Sequence, residues 1–114
     1  MPEKIAIIGT GLVGRSWSIV FARVGFEVWM FDPFDQIVKN SIKLIEEGLP
    51  GLFEKGLLGN KRPDEVRTHL NKAENLEDAL DGAMYVQESA PERIEIKQEL
   101  YINLDKYASN HCIL

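Results

Sequence analysis

Cysteine is nearly absent: Cys112 is the only one in 114 residues, so the chain can form no internal disulfide. A reducing, cytoplasmic setting is the expectation that follows. Histidine is scarce as well. His69 and His111 stand alone, with no carboxylate or nucleophile at a suggestive spacing, and both are expected at the surface or a strand edge rather than as general bases. Positive charge is in the minority and unclustered. Thirteen Lys and Arg against 18 Asp and Glu give a net charge of −5, which speaks against nucleic acid or an anionic membrane as partner. Long apolar runs are missing too: Met1-Pro2-Glu3-Lys4 leads into a stretch far shorter than a signal-peptide core or a membrane span. No metal-ligand cluster, internal repeat or low-complexity linker is present, so one domain over residues 1–114 is expected.

What is present is an alternation of strand and helix patterns. Residues 5–8 form a continuous, mostly β-branched apolar run closed by Gly9, as a strand buried on both faces reads. From Leu12 the period changes. Val13, Trp17, Val20, Phe21 and Val24 share one helical face, which predicts a core-facing stripe with Trp17 inside it, and Gly25 stands where a helix stop belongs. Phe26, Val28, Trp29, Met30 and Phe31 make a second strand, closed by Asp32-Pro33. A right-handed crossover makes the two strands parallel.

Val38, Ile42, Ile45, Leu49 and Leu52 then predict an amphipathic helix, with Gly48, Pro50 and Gly51 expected to kink or break it. Residues 56–60 read as a loop, Pro63-Asp64-Glu65 as a helix's first turn, and His69 to Ala73 as a weak strand. Asn75 caps a short helix over residues 76–80 that ends at Asp81-Gly82, and Met84-Tyr85-Val86 opens another strand. Pro91 marks the turn out of it. Ile94, Ile96, Leu100, Leu104 and Tyr107 pattern as a helix, and Ile113-Leu114 as the start of a fifth strand, cut short.

Gly9-Thr10-Gly11-Leu12-Val13-Gly14 is a G-x-G-x-x-G sequence. Alone it is a weak signal, but here it follows a buried strand and opens a helix, the context of a dinucleotide fingerprint. Gly9 permits the tight turn, Gly11 removes a side chain that would block a pyrophosphate, and Gly14 allows close packing of helix on sheet. The free amides and dipole of the helix N-terminus suit phosphate. Asp32, 18 residues beyond Gly14, ends the second strand, where its carboxylate can accept hydrogen bonds from a ribose. A 2′-phosphate would meet that charge, and Pro33, Phe34 and Asp35 offer no Arg or Lys to neutralise it, so NAD is favoured over NADP. FAD proteins share the fingerprint, and a glycine turn binding no nucleotide is the bland alternative. The fold expected is α/β: a Rossmann-type doubly wound parallel sheet of order 3-2-1-4-5, with a helical insertion after the second strand and truncated in the fifth.

The segments KIAIIGTGLVGRSW, FEVWMFDP and YVQESAPERIEIKQELYINLD together resemble the NAD-binding half of the 3-hydroxyacyl-CoA dehydrogenase family, in particular its lambda-crystallin (L-gulonate 3-dehydrogenase) and carnitine dehydrogenase branches. The resemblance covers the whole chain, insertion included. It implies cofactor contacts at the backbone of Leu12 and Val13, at Asp32, and at Glu92 and Lys97, which match the Pro-Glu turn and following Lys of the family. On their residues alone, Glu92 suits a helix's first turn and Lys97 a solvated helix face. Ser16 either assists phosphate or faces solvent.

The same resemblance implies oxidation of the 3-hydroxyl of a 3-hydroxyacyl-CoA or 3-hydroxy acid by NAD, a small-molecule substrate, and a homodimer at full length. It also implies that the catalytic Ser, His, Glu and Asn and the helical second domain lie beyond Leu114, so that these residues alone are expected to be inactive. A non-catalytic, crystallin-like protein is the competing reading. A 6-phosphogluconate-type dehydrogenase is a third, which would want Asn-Arg where Asp32-Pro33 stands.

Overall fold

The computed structural model describes residues 3–88. The elements run β1 (Lys4–Ile8), α1 (Leu12–Val24), β2 (Glu27–Phe31), α2 (Asp35–Glu54), α3 (Pro63–Thr68), β3 (Leu70–Lys72), α4 (Leu76–Leu80) and β4 (Tyr85–Glu88). Glu92, Lys97, the 94–107 helix pattern and the strand beginning at Ile113 lie outside the described residues.

All strand pairs are parallel and the order is β3-β2-β1-β4. β1 is central: Ile8 aligns with Phe31 on one side and with Glu88 on the other. Strand alternation sends Ile5 and Ile7 into one core with Val28, Met30, Val38 and Ile45, and Ala6 and Ile8 into a second with Leu76, Leu80 and Val86. Helices α1 and α2 cover the first face and α4 the second, the doubly wound arrangement that the continuous apolar run of β1 predicts.

The helix ends follow local chemistry. Gly25 closes α1 at φ 109°. The Asn75 side chain accepts from the Asp78 amide at 2.7 Å, and the Asp78 carboxylate accepts from the Glu74 amide at 2.9 Å. Pro63 opens α3, where the Glu65 carboxylate accepts from the Arg62 amide at 3.3 Å.

The structure departs from the sequence pattern in two places. The first is the face of α1. Gly14, Ser18 and Ala22 are the residues it buries, while Val13 is 57% exposed, Trp17 39% and Val24 66%. Trp17 is therefore not a core residue; its ring stacks on Phe21 at 5.7 Å along the helix flank. The physical reason is the glycine turn, which brings α1 so close to the sheet that only small side chains fit beneath it, whatever larger apolar residues lie around the helix. Ser18 is accommodated there because its hydroxyl donates to the Gly14 carbonyl at 2.8 Å.

The second departure is α2, which runs unbroken from Asp35 to Glu54 with Pro50 inside it. The helix bond Pro50 cannot make would go to the carbonyl of Glu46, an exposed residue whose carbonyl water can satisfy. Burial of Val38, Ser41, Ile45 and Leu49 along one face outweighs that loss. The helix stops instead just past its last turn, where Gly56 takes φ 71° and the Leu57 amide donates back to Leu52 at 2.9 Å.

Candidate functional site

The glycine turn connects the carboxyl end of β1 to α1. Gly9 has φ 91°, a left-handed conformation that disfavours any side chain, and its amide donates to the Phe31 carbonyl at 2.8 Å, fastening the turn to β2. A Cβ on Gly14 would stand 2.0 Å from the Gly9 oxygen and 3.4 Å from Ile7 Cγ2, so this position admits no side chain. A Cβ on Gly11 would meet nothing within 4 Å, so the space in front of this residue is open. Gly11 is the N-cap of α1, and the first-turn amides that follow, Leu12 and Val13 among them, have no partner within the helix. No acidic side chain sits in that turn to neutralise its positive end. Leu12 is 72% exposed and Val13 57%, so this first turn stands at the surface.

Asp32 follows β2 and is buried against the turn. One carboxylate oxygen accepts from the Thr10 amide at 3.1 Å and the other from the Phe34 amide at 3.3 Å. Fixed by two backbone donors, the carboxylate keeps lone pairs for a further donor arriving from the open side. The sequence reading thus brings Gly9, Gly11, Leu12, Val13, Gly14 and Asp32 together at the carboxyl edge of β1 and β2. That edge is where open α/β sheets bind ligands.

Other expectations separate here. The Ser16 hydroxyl donates back to the Leu12 carbonyl at 3.0 Å on an exposed face, which favours the solvent-facing reading. His69 lies at the start of β3, at the opposite end of the sheet, with Nδ1 3.3 Å from Glu27 Oε1. Among the described residues no three His, Cys, Asp or Glu side chains converge as a metal site, and no helix is long and apolar enough to cross a membrane.

Three contributors escaped the sequence reading. Thr10 is completely buried, and its hydroxyl has no hydrogen-bond partner. Ser41 of α2 is buried and its hydroxyl donates to the Thr10 carbonyl. Lys72, at the end of β3, reaches the Asp35 carboxylate at the start of α2, whose other oxygen lies 3.3 Å from Lys39. The hydrogen bonds from Lys72 and Lys39 hold Asp35 below its ordinary value of 3.8. The hydrogen bond to Asp35 in turn lifts Lys72 above 10.5. A lysine does therefore stand near the end of β2, supplied by a strand distant in sequence, but its charge is matched by Asp35.

Residues 4–114 match the model of the 3-hydroxyacyl-CoA dehydrogenase NAD binding domain. The chain belongs to this family. Within the 3-hydroxyacyl-CoA dehydrogenase family it is 36% identical over 114 residues to the lambda-crystallin homolog of Bos taurus, covering 99% of this chain and 36% of that protein. It is 33% identical over 103 residues to the L-carnitine dehydrogenase of Streptomyces griseus, covering 90% of this chain and 30% of the relative. The 3-hydroxybutyryl-CoA dehydrogenase of Escherichia coli K12 superposes with a TM-score of 0.84 at 25% identity, over 97% of this chain and 23% of that one. The chain thus spans about a third of the length of the curated relatives it matches.

Proposed function

We propose that this chain is the cofactor-holding part of an NAD-dependent dehydrogenase that oxidises the 3-hydroxyl of a 3-hydroxyacyl-CoA or of a 3-hydroxy acid such as gulonate or carnitine. The observation that carries the reading is the juxtaposition of a helix N-terminus with open space before Gly11 and a buried carboxylate, Asp32, hydrogen-bonded into the same turn. Membership of a family of NAD-binding domains supplies the cofactor's identity.

In this reading the amides of Gly11, Leu12 and Val13 receive the pyrophosphate, while Gly9 and Gly14 hold the turn in the shape that lets it approach. Asp32 accepts hydrogen bonds from the adenine ribose hydroxyls and repels a 2′-phosphate, with Asp35 keeping Lys72 and Lys39 occupied. Bound there, NAD would supply a two-electron hydride acceptor for the carbinol carbon of the substrate, whose hydroxyl proton would go to a base. No described residue is assigned that base. Glu92 and Lys97 complete the proposed cofactor contacts from outside the described residues. We place the protein in the cytoplasm and its full-length form in a homodimer, with neither nucleic acid nor membrane as partner; an acyl-CoA substrate would put it in fatty acid metabolism.

The test is a fluorescence titration of the chain with NADH, with NADPH and an Asp32→Ala variant in parallel. Micromolar NADH binding, weaker for NADPH and weakened about tenfold or more in the variant, is the expected result for loss of a hydrogen bond to a charged group. A cooperatively melting chain that ignores NADH would overturn the reading. Likeness to lambda-crystallin homologs supports a second reading, a structural protein that retains NAD binding. An active longer protein, assayed with 3-hydroxy acids and 3-hydroxyacyl-CoA, would eliminate it.

A further inference from the structure

Ser41 interrupts an otherwise apolar stripe. Its neighbours on the buried face of α2 are Val38, Ile45 and Leu49, and Ser41 itself is 1% exposed. A buried serine in a helix ordinarily returns its hydroxyl to the carbonyl four residues back, and Ser41 does lie 2.7 Å from the Ile37 oxygen. Its single proton has a second acceptor in reach, the Thr10 carbonyl, 31 residues earlier in the chain. That second acceptor is what an alanine at this position would abandon, because the Ile37 carbonyl already belongs to the helix ladder.

The Thr10 carbonyl belongs to the peptide unit whose nitrogen is that of Gly11. The unit is trans, since the described residues contain no cis bond, and in a planar trans peptide the C=O and N–H point in opposite directions. Holding the carbonyl towards α2 therefore turns the Gly11 N–H away from α2, and Gly11 itself is exposed. That N–H has no acceptor among the described residues. The preceding peptide is fixed independently, by the Thr10 amide on Asp32. Asp32 and Ser41 thus clamp the two sides of Thr10. Asp32 is itself positioned to read a ribose, whereas Ser41, 1% exposed, is shut away from solvent.

We propose that Ser41 is a positioning residue of the cofactor site: acting through the Thr10 carbonyl, it aims the Gly11 N–H at the pyrophosphate. The proposal rests on the NAD-binding reading. It also gives the helical insertion a part in that site, since Ser41 stands in the second turn of α2.

The experiment compares the 114-residue chain with its Ser41→Ala variant, using NADH and adenosine as probes. Adenosine carries the ribose that Asp32 would bind but no phosphate. Loss of one aimed hydrogen bond to a charged group should weaken NADH about fivefold to tenfold, while adenosine affinity, followed by NMR, stays within about twofold and the melt remains cooperative. The Thr10 carbonyl ¹³C and Gly11 amide ¹⁵N resonances should move in the unliganded variant. Equal weakening of both probes would mean a general loosening and would overturn the proposal, as would unchanged NADH affinity. If the wild-type chain itself fails to bind NADH, the NAD-binding reading falls and this inference falls with it, an outcome distinct from the others. Should Ser41→Ala melt without cooperativity, Ser41→Cys keeps the size with a weaker donor. A selective loss of about twofold to threefold for NADH then supports the proposal, and no loss refutes it.

Discussion

Gly14 and Gly9 are in contact across the turn: a methyl group on the first would stand 2.0 Å from the carbonyl oxygen of the second. Because that neighbour is backbone, it cannot swing aside as a side chain would. Gly14→Ala should therefore lower stability by about 3 kcal/mol or expel the turn from its present shape. A urea melt reads the first outcome and loss of NADH binding the second; a variant with normal stability and affinity would show that the turn has slack this geometry denies it.

Trp17 and Ala22 exchange their expected importance. Truncating a buried tryptophan destabilises by about 3–5 kcal/mol, but Trp17 is 39% exposed and its main ring contact is Phe21, so Trp17→Ala should lose only about 1–2 kcal/mol. Ala22 is fully buried, and Ala22→Leu should lose at least as much by forcing α1 away from the sheet. Chemical denaturation of the two variants ranks them directly.

The Asp35–Lys72 pair sets a pH window. Asp35 has its folded pKa lowered, so its contribution is complete above 3.8 and fades as pH falls through the folded value. Lys72 has its folded pKa raised, so its contribution is complete below 10.5 and fades as pH rises beyond that. Between these limits stability should be flat as far as this pair is concerned. Both groups are solvent-accessible, so Asp35→Asn should change the melting temperature by a few degrees at most, less in high salt. The same variant should narrow the preference for NADH over NADPH, because it releases two lysines at the end of β2. An unchanged NADH/NADPH ratio would remove Asp35 from cofactor discrimination.

Lys4 ties the start of β1 to the end of α4. Its ammonium donates to the carbonyls of Asp78 and Asp81, each at 2.7 Å, and sits 4.6 Å from the centre of the Trp29 ring. Burial pushes its pKa below the ordinary value, against the pull of Asp78 and Asp81. Lys4→Met keeps the stem but leaves two helix-end carbonyls without their donor, and should lower stability by about 1 kcal/mol. Hydrogen exchange in α4 should rise in step, since this helix is only five residues long.

Much of this architecture can be read locally. The buried run of β1, the three glycines, Asp32 eighteen residues on, Pro63 at a helix start and the Asn75 cap each carry their signal within a few residues. What escaped depends on how closely two elements approach. The stripe of larger apolar residues on α1 outweighs Gly14, Ser18 and Ala22 in any hydropathy count, yet the approach forced by the glycine turn buries the small residues. Pro50 looks like a helix breaker until the buried face of α2 is seen to carry the helix past it unbroken. Ser41 and Lys72 reach their partners across 31 and 37 residues of chain, so no window of sequence contains either relationship.

The centrality of β1 constrains the order in which the protein can take shape. Of the described strands β1 comes first in the chain, yet both its neighbours come later: β2 pairs with it after about one helix, but its other neighbour, β4, begins only at Tyr85. At roughly 5–20 residues per second, the growing chain spends several seconds with one edge of Ile5–Ile8 unpaired. During that interval an exposed edge of β-branched residues is open to a neighbouring chain. Soluble yield of this protein should therefore depend more steeply on expression rate and temperature than on the stability of the finished fold.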